Sequence, residues 1–139
     1  MNNRHKIIIV DDDPKALLLM DAVLKPYGYD VVLINHSRQV IETARKEKPD
    51  LILLDVMMPG LDGYTILNKI KKEETIKNIP VVMVTALGQD GHKAIASICG
   101  ASAYMTKPID KTVLLETIAN FLPDSTSYLG TLQDINIRT

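Results

Sequence analysis

The chain has 139 residues, 46% of them apolar and 24% charged, with a formal net charge of −1 at neutral pH. That length fits one domain, the apolar share is ample for a core, and the ordinary charge content excludes a disordered chain. Near-neutrality gives no reason to expect nucleic acid or an anionic membrane as a partner. Cys99 is alone, so it forms no internal disulfide and no cysteine metal cluster, and it is expected to be a packing residue. The first six residues are short and polar, and no later stretch approaches about 18 consecutive apolar residues. A cytoplasmic protein without membrane contact is expected.

In chain order, residues 7–10 (IIIV) come first, a run too short for a helix and rich in β-branched side chains. This predicts a strand buried on both faces. Asp13 followed by Pro14 reads as a helix cap and first helical position. Leu17, Met20, Val23, Leu24 and Tyr27 then follow the helical i, i+3, i+4, i+7 spacing, and Gly28 closes the helix. Residues 31–34 (VVLI) repeat the strand pattern, and Ser37 is placed to cap a second helix carrying Val40, Ile41 and Ala44. Pro49 precedes a third strand at 51–54 (LILL). Met57 and Met58 read as loop packing, Pro59-Gly60 as a turn, and Asp62-Gly63 as the turn into a third helix. Gly63 is expected to supply a backbone angle that other residues resist.

The third helix carries Ile66, Leu67 and Ile70, and Lys69, Lys71, Lys72, Glu73 and Glu74 read as its solvated end. Pro80 precedes a fourth strand at 81–84 (VVMV). Residues 88–91 open a fourth, less regular helix that ends near Gly100. A weaker fifth strand follows at 103–105 (AYM), then a fifth helix on Val113, Leu114, Thr117, Ile118 and Phe121. His5, His36 and His92 share no spacing that suits a metal, and all three are read as solvated.

Alternating strands and helices imply an α/β fold, a doubly wound five-stranded parallel sheet with helices on both faces. Right-handed crossovers place all strand C-termini on one edge, outside which such sheets bind ligands. The sequence puts Asp11, Asp12, Asp13, Asp55, Thr85, Ala86, Thr106, Lys107 and Pro108 there. Clustered carboxylates resist ionisation unless a cation is present, and oxygen donors favour Mg²⁺ or Mn²⁺. A carboxylate held at a strand end can act as a nucleophile, while Lys107 and the Thr85 hydroxyl hold phosphoryl oxygens. Asp13, next to Pro14, is read as a cap and not as a ligand.

The segments IIIVDDDP, PDLILLDVMMPGLDG, IPVVMVTA and GASAYMTKPID resemble the receiver domain of two-component response regulators over residues 5–122. Their separations do so too: 43 residues from Asp12 to Asp55, 30 from Asp55 to Thr85 and 22 from Thr85 to Lys107. The resemblance implies a flavodoxin-like fold and a chemotaxis-regulator-like phosphorylation switch. Asp55 is then the phosphoacceptor, loaded by a sensor histidine kinase or a histidine phosphotransfer protein. Asp12, Asp55 and the Met57 backbone carbonyl would hold the metal directly, and Asp11 through water. Thr85 and the Ala86 amide would bind the phosphoryl oxygens, Lys107 would pair with them, and the peptide before Pro108 would be cis. Thr85 and Tyr104 would be the switch pair, remodelling the face of helix 4, strand 5 and helix 5 for a downstream protein.

Such a protein is not an enzyme acting on a separate substrate; it promotes its own phosphotransfer and a slow autodephosphorylation. Slow decay is expected because Met57 and Leu87 are apolar and cannot orient an attacking water. Residues 123–139 read as a tail or the start of a linker. A stand-alone regulator, monomeric or dimerising on phosphorylation, is the first expectation, and the receiver part of a longer protein the second.

A haloacid-dehalogenase-type phosphatase with Asp11 as nucleophile is an alternative, since Asp11 and Asp13 make its Asp-x-Asp pattern. It fits poorly: Lys15 stands where threonine or valine is usual, only Asp110 follows the lysine, and Asp55 has no role. A receiver that binds partners without being phosphorylated is the other alternative.

Overall fold

Each short apolar run forms a strand: β1 (Lys6–Val10), β2 (Asp30–Ile34), β3 (Leu51–Asp55), β4 (Val81–Thr85) and β5 (Ala103–Thr106). In the computed structural model, which describes residues 4–60, 62–85 and 100–123, they pair in parallel in the order β2-β1-β3-β4-β5. The described helices are α1 (Pro14–Leu24), α2 (Val40–Glu47), α3 (Gly63–Lys72) and α4 (Lys111–Phe121). The helix expected from 88–91, with His92 and Cys99, lies outside the described residues, as do Ala86, Leu87 and residues 124–139.

Alternate side chains of each strand feed two cores. Ile7, Ile9, Leu51, Leu53, Val82 and Val84 pack with Leu17, Met20 and Leu24 of α1 and Leu114, Leu115 and Ile118 of α4. Ile8, Val10, Ile52, Leu54, Val81 and Met83 pack with Val40 and Ala44 of α2 and Ile66, Leu67 and Ile70 of α3. Full burial of each such aliphatic side chain contributes roughly 1.5–3 kcal/mol, enough to fix which face every helix presents.

The strands differ in a way that their composition does not announce. β3 and β4 are buried throughout, whereas β2 lies at the sheet edge with Leu33 exposed and Val31 and Val32 half-buried. An edge strand has a neighbour on one side only, so an apolar run alone does not guarantee burial on both faces. The inward face of α4 is also shifted from its expectation: Leu115 is buried, Thr117 is half-buried, and Val113 is exposed.

Several local expectations change as well. Asp13 caps α1 by accepting from the Lys15 amide, and Asp62 caps α3 by accepting from the Thr65 amide. Ser37, expected to cap the second helix, instead lies inside a 3₁₀ turn (Ser37–Gln39), and His36 Nδ1 accepts from the Arg38 amide. His5, read as solvated, is half-buried with Nδ1 3.6 Å from Asp50. Lys71 is not a solvated helix end: its Nζ donates to the Lys77 and Ile79 carbonyls, and burial lowers its pKa. Gly63 does not adopt a left-handed angle. It is required because a Cβ there would lie 2.5 Å from the Asp55 carbonyl oxygen and 2.8 Å from Val56 Cα.

From β1 the chain winds outward to β2 and then returns past β1 to β3. The strand order therefore reverses between β1 and β3, and a crevice opens beyond their carboxyl ends.

Candidate functional site

Two carboxylate-bearing segments meet at that crevice. Asp11 and Asp12 directly follow β1, and Asp55 is the last residue of β3. One carboxylate oxygen from each of the three lies within 4.8 Å of the others. Asp11 and Asp55 are buried, while Asp12 is exposed.

Each carboxylate is oriented differently. The Asp13 amide donates to Asp11 Oδ1 at 2.9 Å, and Lys107 Nζ donates to Asp11 Oδ2 at 2.7 Å. Both Asp11 oxygens are therefore engaged. Among the described residues, Asp55 Oδ1 accepts a long bond from the Met57 amide at 3.3 Å, and its Oδ2 lies 3.6 Å from Lys107 Nζ. Burial, reinforced by the Asp11 charge, pushes the Asp55 carboxyl up to about 6, against the opposing pull of Lys107 and the Met57 amide. Burial also disfavours the Lys107 charge, but its bond to Asp11 and the nearby carboxylates outweigh that and raise its pKa.

The remaining residues surround this group. Thr85 is buried at the end of β4, in register with Thr106 of β5. The Thr85 carbonyl accepts from the Lys107 amide at 2.6 Å, which ties the lysine to the fourth strand, and the Lys107–Pro108 peptide is cis. Tyr104 is half-buried on β5, in register with Met83, and packs against the α2–α3 core. Met57 is exposed and Met58 is buried. The Ala86 amide and Leu87 lie outside the described residues.

Chemically, three acids face one ammonium. The donors are all oxygen, which is the ligand type of a small hard divalent cation. The upward shift of Asp55 marks the same imbalance, because a second positive charge would relieve it. The residues fit Mg²⁺ or Mn²⁺.

Motif reading did not foresee the Lys107–Asp11 pair. Lys107 was expected to serve phosphoryl oxygens, and nothing in the spacing of residues 96 apart signals a direct contact. Gly63 serves a close backbone approach and not the backbone angle that its place in a turn suggests. Its signal was only its place eight residues beyond Asp55.

The family profile "Response regulator receiver domain" matches residues 7–119. The chain is 37% identical over 113 residues to Protein PilH of Pseudomonas aeruginosa, covering 81% of this chain and 93% of PilH. Other curated relatives are longer, and the chain spans 25% of one and 49% of another. Among solved structures, a putative response regulator from Chloroflexus aurantiacus superposes with a TM-score of 0.83 at 30% identity, covering 87% of this chain and 99% of that one. The receiver domain of sensor histidine kinase PA1611 from Pseudomonas aeruginosa, described with a magnesium ion coordinated in its active site cleft, gives 0.79 at 27% identity, covering 86% and 98%.

Proposed function

The chain belongs to the response-regulator receiver domain family and is a phosphorylation-activated response regulator, and from that premise we propose that Asp55 is its phosphoacceptor. The observation that carries the assignment is the contrast between its buried acids. Asp11 has both oxygens hydrogen-bonded, whereas Asp55 is held at a strand end with one long bond and one distant ammonium. A nucleophile needs an available oxygen, and Asp55 has it. For the same reason Asp11 is a poor nucleophile, and the phosphatase reading gains nothing.

In this reading an Asp55 oxygen bonds to phosphorus as the phosphorus–nitrogen bond of a donor phosphohistidine breaks and the imidazole is released. Receiver domains bind Mg²⁺ through an acidic pocket; here Asp12, Asp55 and the Met57 carbonyl would hold it, with Asp11 acting through water. The bound ion supplies positive charge that offsets the crowded carboxylates and the incoming phosphoryl group. Lys107 is positioned to exchange one anion, Asp11, for another, the phosphoryl oxygens. The Thr85 hydroxyl and the Ala86 amide would bind those oxygens, and Tyr104, two residues before Thr106, would move with Thr85. Phosphorylation would act by shifting a balance between two existing states.

A histidine kinase or phosphotransfer protein is the upstream partner this family implies. Support for where it docks comes from α1. Leu18 and Leu19 are 63% and 66% exposed, and Leu19 borders a hollow of about 520 Å³ that is also lined by Lys15, Ala16, Met20, Lys107, Pro108 and Ile109. Apolar side chains on the outer face of a helix, bordering the pocket, suit an apolar helical partner that brings its phosphohistidine to Asp55. The downstream partner would read the remodelled face of the helix expected from 88–91, β5 and α4, and the protein itself would act as a monomer or as a dimer formed on phosphorylation.

We assign residues 5–122 to the receiver, residues 123–139 to a tail or linker, and the protein to the cytoplasm; among the described residues no helix is long and apolar enough to cross a membrane. Autodephosphorylation would be slow, and Leu87→Glu should speed the release of phosphate. The proposal is tested by incubation with acetyl phosphate and Mg²⁺. Intact mass should rise by one phosphoryl group in the wild type, and neither Asp55→Asn nor chelated wild type should gain it. An equal gain in Asp55→Asn would overturn the assignment.

A further inference from the structure

The segment following Asp55 leaves the sheet, yet it is tied down at each step. The Val56 amide donates to the Val84 carbonyl at 2.9 Å, extending the β3–β4 ladder by one residue. The Val56 carbonyl in turn accepts from the Gly63 amide at 2.9 Å, so the first residue of α3 is tied to the residue after the acceptor. That bond exists only because position 63 lacks a side chain. A Cβ would sit 2.5 Å from the Asp55 carbonyl oxygen, a backbone atom that cannot swing aside.

Farther along, Ser37 holds the loop from the opposite direction. It is 3% exposed, and its Oγ donates to the Pro59 carbonyl at 3.4 Å. Gly60, at φ +86°, brings its backbone under the same hydroxyl, and a Cβ there would lie 3.2 Å from Ser37 Oγ. Between these ties Met58 is buried and Met57 is 65% exposed. The loop is thus fixed at Val56, Met58 and Pro59, and Met57 is left facing the solvent.

We propose that Gly63 and Ser37 are positioning residues of the phosphorylation site, clamping residues 56–60 from two sides so that the Met57 backbone is held at the metal position beside Asp55. The inference rests on the reading of Asp12, Asp55 and Met57 as the metal-holding group. Neither residue touches the metal or the phosphoryl group in this scheme. A backbone ligand cannot be supplied by its own side chain's rotamer, so its placement depends on what holds the loop. Ser37 belongs to the turn before α2, which makes that turn part of the site although it carries no acid.

The test is calorimetric titration of Mg²⁺ into the whole protein, with melting temperature measured separately in chelator. Ser37→Ala should weaken Mg²⁺ binding by about tenfold, and Gly63→Ala by roughly ten- to a hundredfold, as losses of groups that orient metal ligands do. Val40→Ala, a cavity variant at the buried start of α2, should lower the melting temperature and leave Mg²⁺ affinity unchanged. This separates positioning from general destabilisation. If Gly63→Ala does not fold, Ser37→Ala decides the matter. Wild-type affinity in Ser37→Ala, or an equal loss in Val40→Ala, would overturn the clamp. Absence of Mg²⁺ binding by the wild type would overturn instead the reading of the metal-holding group on which it rests.

Discussion

The two ends of the sheet carry the same ingredients and put them to different uses. At the N-terminal edge, Lys6 Nζ meets Glu47 at 2.8 Å while its backbone amide donates to Asp50 at 2.7 Å. At the C-terminal edge, Lys107 meets Asp11 at 2.7 Å and stands 3.6 Å from Asp55. In the first case both partners are about 29% exposed, and the attraction shifts each toward its charged form, raising Lys6 and lowering Glu47. In the second, Asp11 and Asp55 are buried and a third acid, Asp12, lies alongside, so one ammonium faces three carboxylates. The outcome for Asp55 is the reverse of that for Glu47: its pKa rises to about 6. A lysine beside acids is a structural pair when water screens the charges, as it does for Lys6 among Glu47, Asp30 and Asp50. It becomes part of a reactive site when burial and an excess of one sign leave a charge unmet.

The largest effect should come from reducing that excess. Asp12→Asn should weaken Mg²⁺ binding by at least about 30-fold, since at an effective dielectric near 20 a unit charge about 4 Å from a cation is worth several kcal/mol. Calorimetric titration measures it directly, and near wild-type affinity would mean that Asp12 is no ligand.

Next in size is the stability of the metal-free protein. Because the folded state raises the Asp55 pKa above its ordinary 3.8 to about 6, the folded state binds that proton more tightly than the unfolded chain does. The contribution of Asp55 to stability is therefore greatest below about pH 4, falls as pH rises through about 6, and stays low above. Asp55→Asn removes the buried charge and should stabilise the metal-free protein by about 1–3 kcal/mol at pH 8, with the difference vanishing toward pH 4. Urea unfolding in chelator across that range would show it. A variant less stable than wild type at pH 8 would contradict the imbalance.

The smallest effect belongs to the other edge. Lys6→Met should leave Mg²⁺ affinity unchanged and lower the melting temperature slightly at neutral pH. Glu47 is held below the usual carboxylate range by Lys6, so that pair stabilises above this range and its contribution is lost as pH falls and Glu47 protonates. Melting curves at neutral and acid pH test the sign, and a changed Mg²⁺ affinity would break the separation between the two edges.

These contrasts also show what the amino-acid order reveals. The central strands were legible because uninterrupted apolar runs such as 7–10 and 51–54 are too short for a helix and have no amphipathic alternative. Convergence of Asp11, Asp12, Asp55, Thr85 and Lys107 followed from topology alone, since parallel strands end on one edge. Exposure of β2 was not legible, because being an edge strand is decided by neighbours and not by VVLI itself. Nor was the task of Gly63: a missing side chain gives no sign of whether it serves a dihedral angle or a close approach. Lys71 looked like its neighbours Lys69 and Lys72 until the Lys77 and Ile79 carbonyls came within reach. Distances between residues far apart in sequence decide such cases.

The most direct test of the account is to locate the acyl phosphate itself. After loading with acetyl phosphate and Mg²⁺, borohydride reduces a phosphorylated aspartate to homoserine, which peptide sequencing by mass spectrometry can place. The account predicts homoserine at position 55 alone. Homoserine at position 11, or at neither position, would contradict it.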